Sequence, residues 1–174
     1  MKLVIFGATG GTGAELLKQS LGAGHDVTAV VRNPAKLSIG QHANLSVIEG
    51  DVLAAGLWQS SIAGHEAVLS CLGTTDRRHA TSIYSRGAVN IIEAMGGSGT
   101  GRFVCLSSAG LEIPPGIPLP QRLVTQLIVQ RLYRHGYADM TRMETTVAAS
   151  TQYQPAAVHL PGRPGALHAH SRQR

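Results

Sequence analysis

The 174-residue sequence has few aromatic side chains, few charges, few cysteines and no long apolar run. Aromatic residues make up 4% and charged residues 14%, but 43% of the residues are hydrophobic, which is too apolar for a disordered chain. No apolar stretch has the length of a membrane-spanning helix, and Lys2 leads directly into a strand pattern instead of a signal-peptide core. We therefore expect a soluble, cytoplasmic protein with one core and no membrane partner.

The two cysteines, Cys71 and Cys105, fall at the ends of predicted strands. In a cytoplasmic protein such thiols are expected to be reduced and buried, without a disulfide or a metal site. The formal net charge of +5 favours an anionic ligand. Part of that excess comes from Arg163, Arg172 and Arg174 near the C-terminus, so the charge does not indicate a nucleic-acid partner.

Glycine is abundant, with 21 residues, and its most informative cluster is at the N-terminus. Lys2–Phe6 predicts a buried parallel strand, and Ala14–Leu21 has the periodicity of a helix with one buried face. Between them lies Gly-x-x-Gly-x-x-Gly, a variant of the dinucleotide fingerprint, which turns tightly and brings backbone N–H groups to a pyrophosphate at the helix N-terminus. The alternative is a tight turn that binds nothing. The residues predicted to bind the phosphates are Gly7, Thr9, Gly10, Gly11, Thr12 and Gly13.

The second predicted strand, Asp26–Val31, is followed by Arg32. An NAD-binding unit usually carries Asp or Glu at this place, where it binds the ribose 2′-OH, but here the only nearby acid, Asp26, is at the opposite end of the strand. A guanidinium can instead bind a 2′-phosphate through two hydrogen bonds. We predict NADP(H) as the cofactor; the alternative is that Arg32 is a solvated residue at the end of a strand.

The third predicted strand, Leu45–Glu49, leads into Asp51 and Val52. Residues just past the carboxyl end of a strand in such a sheet face the cofactor crevice. Asp51 is thereby placed to meet the adenine amino group, with Val52 against the ring. Asp51 could also cap a helix over Leu53–Ile62, and the two roles are compatible.

The fourth and fifth predicted strands, Glu66–Cys71 and Arg102–Leu106, are followed by small and polar residues. A glycine after the fourth strand allows the backbone to pass close to the nicotinamide-side ribose. A serine after the fifth can hydrogen-bond a substrate carbonyl or the nicotinamide amide, although serines that only cap a turn are as common. The cofactor-binding residues predicted here are Leu72, Gly73 and Ser107, and the catalytic residues, which orient the reacting groups, are Thr74 and Ser108.

The next helical pattern, Thr81–Met95, has apolar or small residues at a spacing of four, and Tyr84 lies one step off that stripe. We interpret Tyr84 as a packing residue. Strand and helix alternate five times, which predicts an α/β fold with a doubly wound parallel sheet in three α/β/α layers, the Rossmann fold. The remaining predicted elements are a stiff proline loop over 114–120 that acts as a lid, a helix over Gln121–Arg134 and a helix from about Gly136 to Ser150.

Taken together, these motifs resemble the atypical short-chain dehydrogenase/reductase superfamily, and more closely its NAD(P)H-binding, NmrA-like branch, which includes biliverdin-IXβ reductase/flavin reductase. The resemblance implies that NADPH binds across the carboxyl edge of the sheet, with Thr12 on a phosphate, Arg32 on the 2′-phosphate and Ser108 near the nicotinamide and the substrate. It also implies that Asp51 and Val52 surround the adenine. The matching segments, which cover roughly residues 1–145, are Phe6–Gly13, Val30–Arg32, Gly50–Val52, Leu72–Thr74, Gly87–Ile91 and Ser107–Ala109.

One departure from typical short-chain dehydrogenases is the absence of a Tyr-x-x-x-Lys pair. The only lysines are Lys2, Lys18 and Lys36, and none is four residues after a tyrosine. The flavin-reductase branch also lacks this pair, and its hydride passes directly to an electron-poor acceptor, which needs positioning more than a strong general acid. We therefore predict an NADPH-dependent oxidoreductase acting on a small planar acceptor that is flavin-, quinone- or biliverdin-like. The alternatives are a non-catalytic NAD(P)-binding sensor of the NmrA type and, less favoured, a sugar-nucleotide epimerase.

The C-terminal stretch departs from the resemblance as well. We expect a Rossmann domain over residues 1–150 and an irregular, flexible or truncated segment over 151–174, in which Ala156–Leu160 could form only a short strand. His168 and His170 alone do not make a metal site, so no metal is expected. We expect a monomer or a weak homodimer.

Overall fold

The computed structural model describes residues 1–76, 78–108, 130–150, 154–160 and 168–169. Its strands are β1 (Lys2–Phe6), β2 (Asp26–Val31), β3 (Leu45–Glu49), β4 (Ala67–Ser70), β5 (Arg102–Ser108), β6 (Gln154–Leu160) and β7 (His168–Ala169). Its helices are α1 (Gly11–Gly22), α2 (Leu57–Ser60), α3 (Ser85–Met95), α4 (Gln130–Leu132) and α5 (Arg134–Ala149), and a 3₁₀ turn covers Pro34–Lys36.

The strands form one sheet in the order β3-β2-β1-β4-β5-β6-β7. The pairs from β3 to β6 are all parallel, and only β7 runs antiparallel to its neighbour. The chain therefore winds outward from β1 in one direction and then crosses to β4 to wind in the other, which is the strand order of the Rossmann fold. The predicted doubly wound parallel sheet is confirmed.

Helices cover both faces of this sheet. On one face, Leu17 and Leu21 of α1 pack against Ile5, Ala29 and Val31 of β1 and β2. Because successive side chains of a strand point to opposite faces, the even-numbered residues of β1 serve the other face, where α2, α3 and α5 pack. The three-layer arrangement follows from this alternation.

The second face carries the larger core. Trp58 of α2 is 1% exposed and meets Phe6 edge to face, with ring centroids 5.3 Å apart. Ile91 of α3 and Met143 of α5 belong to the same buried cluster, together with Phe103 of β5. Within the described residues, no helix combines the length and the apolar character needed to cross a bilayer.

The bounds of β1, β2 and β3 agree with the predicted ones. The predicted helix over Leu53–Ile62 is wrong, because only Leu57–Ser60 is helical. The indole N–H of Trp58 donates to the carbonyls of Asp51 and Ala54, so a side chain occupies carbonyls that a longer helix would use. The predicted proline lid, and residues 121–129 of the helix predicted after it, lie outside the described residues.

Residues 154–160 differ from the irregular segment that we expected there. They form the seven-residue strand β6, in register with β5 from Arg102 opposite Gln154 to Ser108 opposite Leu160. The backbone of β6 forms its hydrogen bonds with the backbone of β5. The sequence of β6 lacks the alternating apolar pattern by which strands are predicted, and backbone pairing does not require that pattern.

Candidate functional site

The loop between β1 and α1 presents free backbone donors at one edge of the sheet. The N–H of Gly10 donates to the carbonyl of Gly7 (3.0 Å), and α1 then begins at Gly11 with no side-chain cap. The first bond of the helical pattern runs from the N–H of Ala14 to the carbonyl of Gly10 (2.8 Å). The N–H groups of the first turn therefore have no partner within the helix and, together with the helix dipole, favour an anion at this end.

The glycines of this loop serve two different needs. Gly7 has a φ of +78°, and a Cβ there would lie 2.3 Å from the carbonyl oxygen of Cys71, while a Cβ on Gly13 would lie 2.1 Å from the carbonyl oxygen of Gly7. These two positions exclude any side chain. Gly11, in contrast, has nothing within 4 Å of its would-be Cβ.

The space over the loop is open to solvent. Gly10 and Gly11 are exposed, as are Thr9 and Thr12, whose hydroxyls flank the helix start. The loop thus has the features of a diphosphate-binding loop: there is no room for a side chain at Gly7 and Gly13, the backbone at Gly10 and Gly11 is exposed, and the N–H groups of the first helical turn have no partner within the helix. The residues present fit a dinucleotide.

Arg32 follows β2 directly and is exposed. The next residue, Asn33, accepts a hydrogen bond from the N–H of Ala35 through Oδ1 (3.0 Å), which fixes the backbone just beyond the arginine. Among the described residues, no carboxylate forms an ion pair with Arg32. Its guanidinium is therefore available for an anion at this edge.

The segment after β3 is held from three sides. Asp51 Oδ1 accepts the N–H of Leu53 (2.9 Å), and the Asp51 carbonyl accepts the indole N–H of Trp58 (3.1 Å). The side-chain amide of Asn90 on α3 donates to the carbonyl of Val52 (2.8 Å). Sequence reasoning missed Asn90, because its partner Val52 is 38 residues away in the chain. It missed Trp58 because a bond from a side chain to a nearby backbone carbonyl leaves no sign in the periodicity of the sequence.

Asp51 and Val52 have unequal access to a ligand. Asp51 is half-buried, and Oδ2 of its carboxylate is not used by the turn described above. Val52 is 3% exposed and belongs to the core, close to Gly87. The structure therefore places the carboxylate at the sheet edge and the valine beneath it.

The segment after β4 lies between β1 and α3. The N–H of Cys71 donates to the carbonyl of Phe6 (2.9 Å), and Leu72 packs over α3 where a Cβ on Gly87 would come within 2.7 Å of it. Gly73 is exposed and Thr74 half-buried. These two residues thus line the edge at the point where the chain switches direction in the sheet, which is where doubly wound folds bind ligands.

Beyond Thr74 the chain forms a compact polar loop. Thr74 Oγ1 accepts the N–H of Asp76 (3.1 Å), and Asp76 Oδ1 accepts the N–H groups of Arg78 (2.9 Å) and His79 (3.2 Å). The His79 imidazole lies 2.7 Å from Asp76 Oδ2. The backbone N–H of Arg78, followed by the side chain and N–H of His79, lowers the pKa of Asp76 to about 2, so this carboxylate is ionised at neutral pH.

The two serines at the end of β5 point to opposite faces of the sheet. Ser107 is 4% exposed, and its hydroxyl donates to Glu144 on α5, so it faces the helix layer. Ser108 is half-buried and, by strand alternation, faces the other way. The predicted pair is therefore divided between two environments.

The two cysteines are free thiols; Cys105 is buried, as predicted, whereas Cys71 is half-buried. Burial raises the pKa of Cys71 to about 11. Burial, followed by the nearby carboxylate of Glu144, raises the pKa of Cys105 to about 12. Both thiols stay protonated at neutral pH and are poor nucleophiles.

The predicted site residues come together at one edge, since five neighbouring parallel strands end there. Gly7 follows β1, Arg32 follows β2, Asp51 follows β3, Thr74 follows β4, and Ser108 ends β5. The edge offers anion-binding groups at the β1–β2 side and small polar groups at the β4–β5 side.

A family model described as NAD(P)H-binding matches residues 7–153 of the chain. The chain belongs to this NAD(P)H-binding family. The matched range begins at the first glycine of the phosphate loop and includes α5. It therefore contains every residue of the candidate site described above.

This NAD(P)H-binding protein is similar in sequence to a curated relative and similar in fold to solved structures of other proteins. It is 38% identical to the uncharacterized protein YwnB of Bacillus subtilis over 73 residues, which are 42% of this chain and 32% of YwnB. The structure of a Streptococcus pneumoniae protein that is suggested to be an NADH-flavin reductase shares a TM-score of 0.66 at 19% identity, covering 90% of this chain and 70% of that one. A Veillonella parvula short-chain dehydrogenase/reductase in complex with NADP shares a TM-score of 0.67 at 17% identity, covering 91% and 68%.

The chain matches about a third of the length of the first curated relatives, 32% and 37%. The solved structures, at these identities, show the Rossmann-type NAD(P)-binding fold.

Proposed function

We propose that the protein is an NADPH-dependent reductase that transfers a hydride to a small planar acceptor of the flavin, quinone or biliverdin type. The observation that carries this is the sheet edge itself: an uncovered phosphate loop follows β1, and Arg32, which forms no ion pair among the described residues, follows the neighbouring strand β2. The name of the Streptococcus pneumoniae neighbour and the NADP bound to the Veillonella parvula neighbour support the same chemistry.

Each part of the edge has one task in this proposal. The first turn of α1 and the hydroxyls of Thr9 and Thr12 bind the diphosphate, Arg32 binds the 2′-phosphate, and Asp51 accepts from the adenine amino group. The backbone of Gly73 runs beside the nicotinamide-side ribose. When bound, the cofactor supplies the hydride.

The acceptor lies at the β4–β5 side of the edge in this proposal. Thr74 and Ser108 orient it there, and the accompanying proton comes from solvent. Asp76, which is ionised at neutral pH, does not supply that proton. The chain's contribution is positioning, which is the main requirement of direct hydride transfer.

The cofactor assignment is tested by Arg32→Ala, with Arg102→Ala as the matched control. Arg102 is also exposed but begins β5, at the opposite edge of the sheet. Loss of charge-assisted hydrogen bonds, worth about 1.5–3 kcal/mol, should weaken NADPH binding about 10- to 100-fold and leave NADH binding almost unchanged. Titration calorimetry measures the six dissociation constants, for NADPH and NADH on the unmodified protein and on the two variants.

Equal losses of NADPH and NADH affinity in Arg32→Ala would rule out a 2′-phosphate contact. The reaction is tested by following NADPH oxidation with FMN or a soluble quinone as acceptor. Tight NADPH binding without turnover of any planar acceptor would rule out the proposed reductase activity and favour the alternative of a cofactor-binding sensor.

A further inference from the structure

Tyr84 has an environment that a packing residue does not need. It immediately precedes α3, is 7% exposed and belongs to the main core cluster, yet its hydroxyl reaches the loop after β4. There it accepts a hydrogen bond from the N–H of Thr74 (3.4 Å). The same oxygen lies 4.0 Å from where a Cβ of Gly73 would be.

The oxygen of the Tyr84 hydroxyl therefore accepts from a donor, the Thr74 N–H, but its own proton has no acceptor among the residues that the structure describes. In the part of the chain that the structure describes, no acceptor lies within hydrogen-bond distance of this O–H. Burial raises the pKa of Tyr84, so the group keeps its proton at neutral pH. The hydroxyl lies at a part-buried place beside exposed Gly73 and half-buried Thr74, where a ligand oxygen could accept its proton.

The backbone of Tyr84 is fixed from the neighbouring helix. Its N–H donates to Oδ2 of Asp139 on α5 (2.9 Å), and the N–H of Ser85 donates to the same oxygen (3.4 Å). Asp139 is 0% exposed, and its other oxygen accepts from Arg142 (3.1 Å). A donor on so constrained a backbone is already oriented before a ligand arrives, which lowers the entropy cost of binding.

We propose that Tyr84 binds the nicotinamide half of the cofactor. Its hydroxyl holds the backbone of Thr74 in place and donates its proton to an oxygen of the nicotinamide riboside. This inference rests on the proposed NADPH binding and adds one residue to it. Tyr84 packs in the main core cluster, as the sequence predicted, and the proposal adds a binding role to that packing role.

The test compares two ligands on two variants. NADPH has both halves of the dinucleotide, and 2′,5′-ADP has only the adenosine half with its 2′-phosphate. Tyr84→Phe removes the hydroxyl and keeps the ring. Tyr137→Phe is the matched control, because Tyr137 is half-buried in α5 and its ring stacks on Tyr133 (5.9 Å between centroids).

We expect Tyr84→Phe to weaken NADPH binding about 5- to 10-fold, as the loss of a hydrogen bond to a ligand does, and to change 2′,5′-ADP binding less than about twofold. Tyr137→Phe should change neither. In the unmodified protein, NADPH should slow hydrogen exchange of the Thr74 amide and 2′,5′-ADP should not. The exchange measurement needs no variant and tests the premise that the nicotinamide half reaches the Thr74 backbone: equal protection by both ligands, or by neither, would overturn the inference even if Tyr84→Phe folds poorly.

Each other outcome overturns the inference in a distinguishable way. Equal weakening of both ligands would show that Tyr84 is only structural. Unchanged binding of both would remove Tyr84 from the site and leave the cofactor proposal intact. Failure of the unmodified protein to bind either ligand would overturn the cofactor proposal and this inference together.

Discussion

Gly11 and Gly13 are two residues apart in one loop, but the structure has room for a side chain at only one of them. A methyl group on Gly13 would meet the carbonyl of Gly7 at 2.1 Å, so backbone would have to move. We expect Gly13→Ala to lower the free energy of unfolding by about 1–3 kcal/mol, the usual cost of overpacking. Gly11→Ala should be neutral or stabilise by up to about 1 kcal/mol, because alanine is the better helix former.

Urea unfolding measures both changes through the fluorescence of Trp58, which is the only tryptophan and is 1% exposed. If Gly13→Ala and Gly11→Ala unfolded at similar urea concentrations, the close contact between Gly13 and the carbonyl of Gly7 would not be the reason for glycine at position 13.

For single residues, the sequence predicts which residue types lie at the carboxyl edge of the sheet, but not which atoms their side chains contact. The glycine spacing was enough to predict the loop, because the constraint is local. Ser107, Ser108 and Val52 were predicted as neighbours of the ligand, yet Ser107 faces Glu144 and Val52 is in the core. The role of the Tyr84 hydroxyl could not be predicted, because its partner Thr74 is ten residues away across a loop.

Among the elements, α3 depends on α5 for its N-terminal cap. The carboxylate of Asp139 accepts from the N–H groups of Tyr84 and Ser85 and from the Ser85 hydroxyl. An anion at this end also interacts favourably with the helix dipole. The cap therefore comes from a residue more than fifty positions later in the chain.

We expect Asp139→Ala to lower the free energy of unfolding by about 2–4 kcal/mol, because it leaves three donors unpaired in the interior. Asp139→Asn retains one acceptor oxygen and should cost roughly half as much. Arg142→Gln is the control: its side chain is 58% exposed, so loss of its ion pair with Asp139 should cost less than about 1 kcal/mol. Urea unfolding of the three variants checks this order, and an Asp139→Ala variant as stable as Arg142→Gln would contradict the capping role.

The elements also show where sequence patterns were sufficient. β1, β2 and β3 were predicted at their observed bounds. Apolar runs bounded by glycine or charged residues mark the buried strands β1 and β2 clearly, and the same pattern was sufficient for β3, which lies at the sheet edge and has no buried residue. The helix after Asp51 was predicted too long, since side-chain bonds of Asp51 and Trp58 replace helical ones. Such competition between side chain and backbone is not visible in periodicity.

For the whole molecule, the order of the strands decides which residues meet. Residues 7, 32, 51, 74 and 108 are far apart in the chain, and only a parallel sheet with β1 and β4 adjacent brings the ends of their strands to one edge. The sequence predicted this arrangement through the alternation of strands and helices. It did not predict how far the sheet extends beyond β5.

β6 pairs with β5 along its whole length, from Arg102 to Ser108, and so covers the edge of the strand that ends at Ser108. A chain ending at Ser150 would leave that edge unpaired, whereas a chain ending at Leu160 would retain the ladder. We expect the shorter chain to unfold at a clearly lower urea concentration and to associate as its concentration rises, because an uncovered edge strand pairs with other chains. Trp58 fluorescence in urea and light scattering would measure both properties, and equal midpoints would mean that β6 contributes nothing to the stability of the sheet.

The chain ending at Ser150 should also bind NADPH more weakly than the chain ending at Leu160, because the strand that carries Ser108 would then lack its β6 partner.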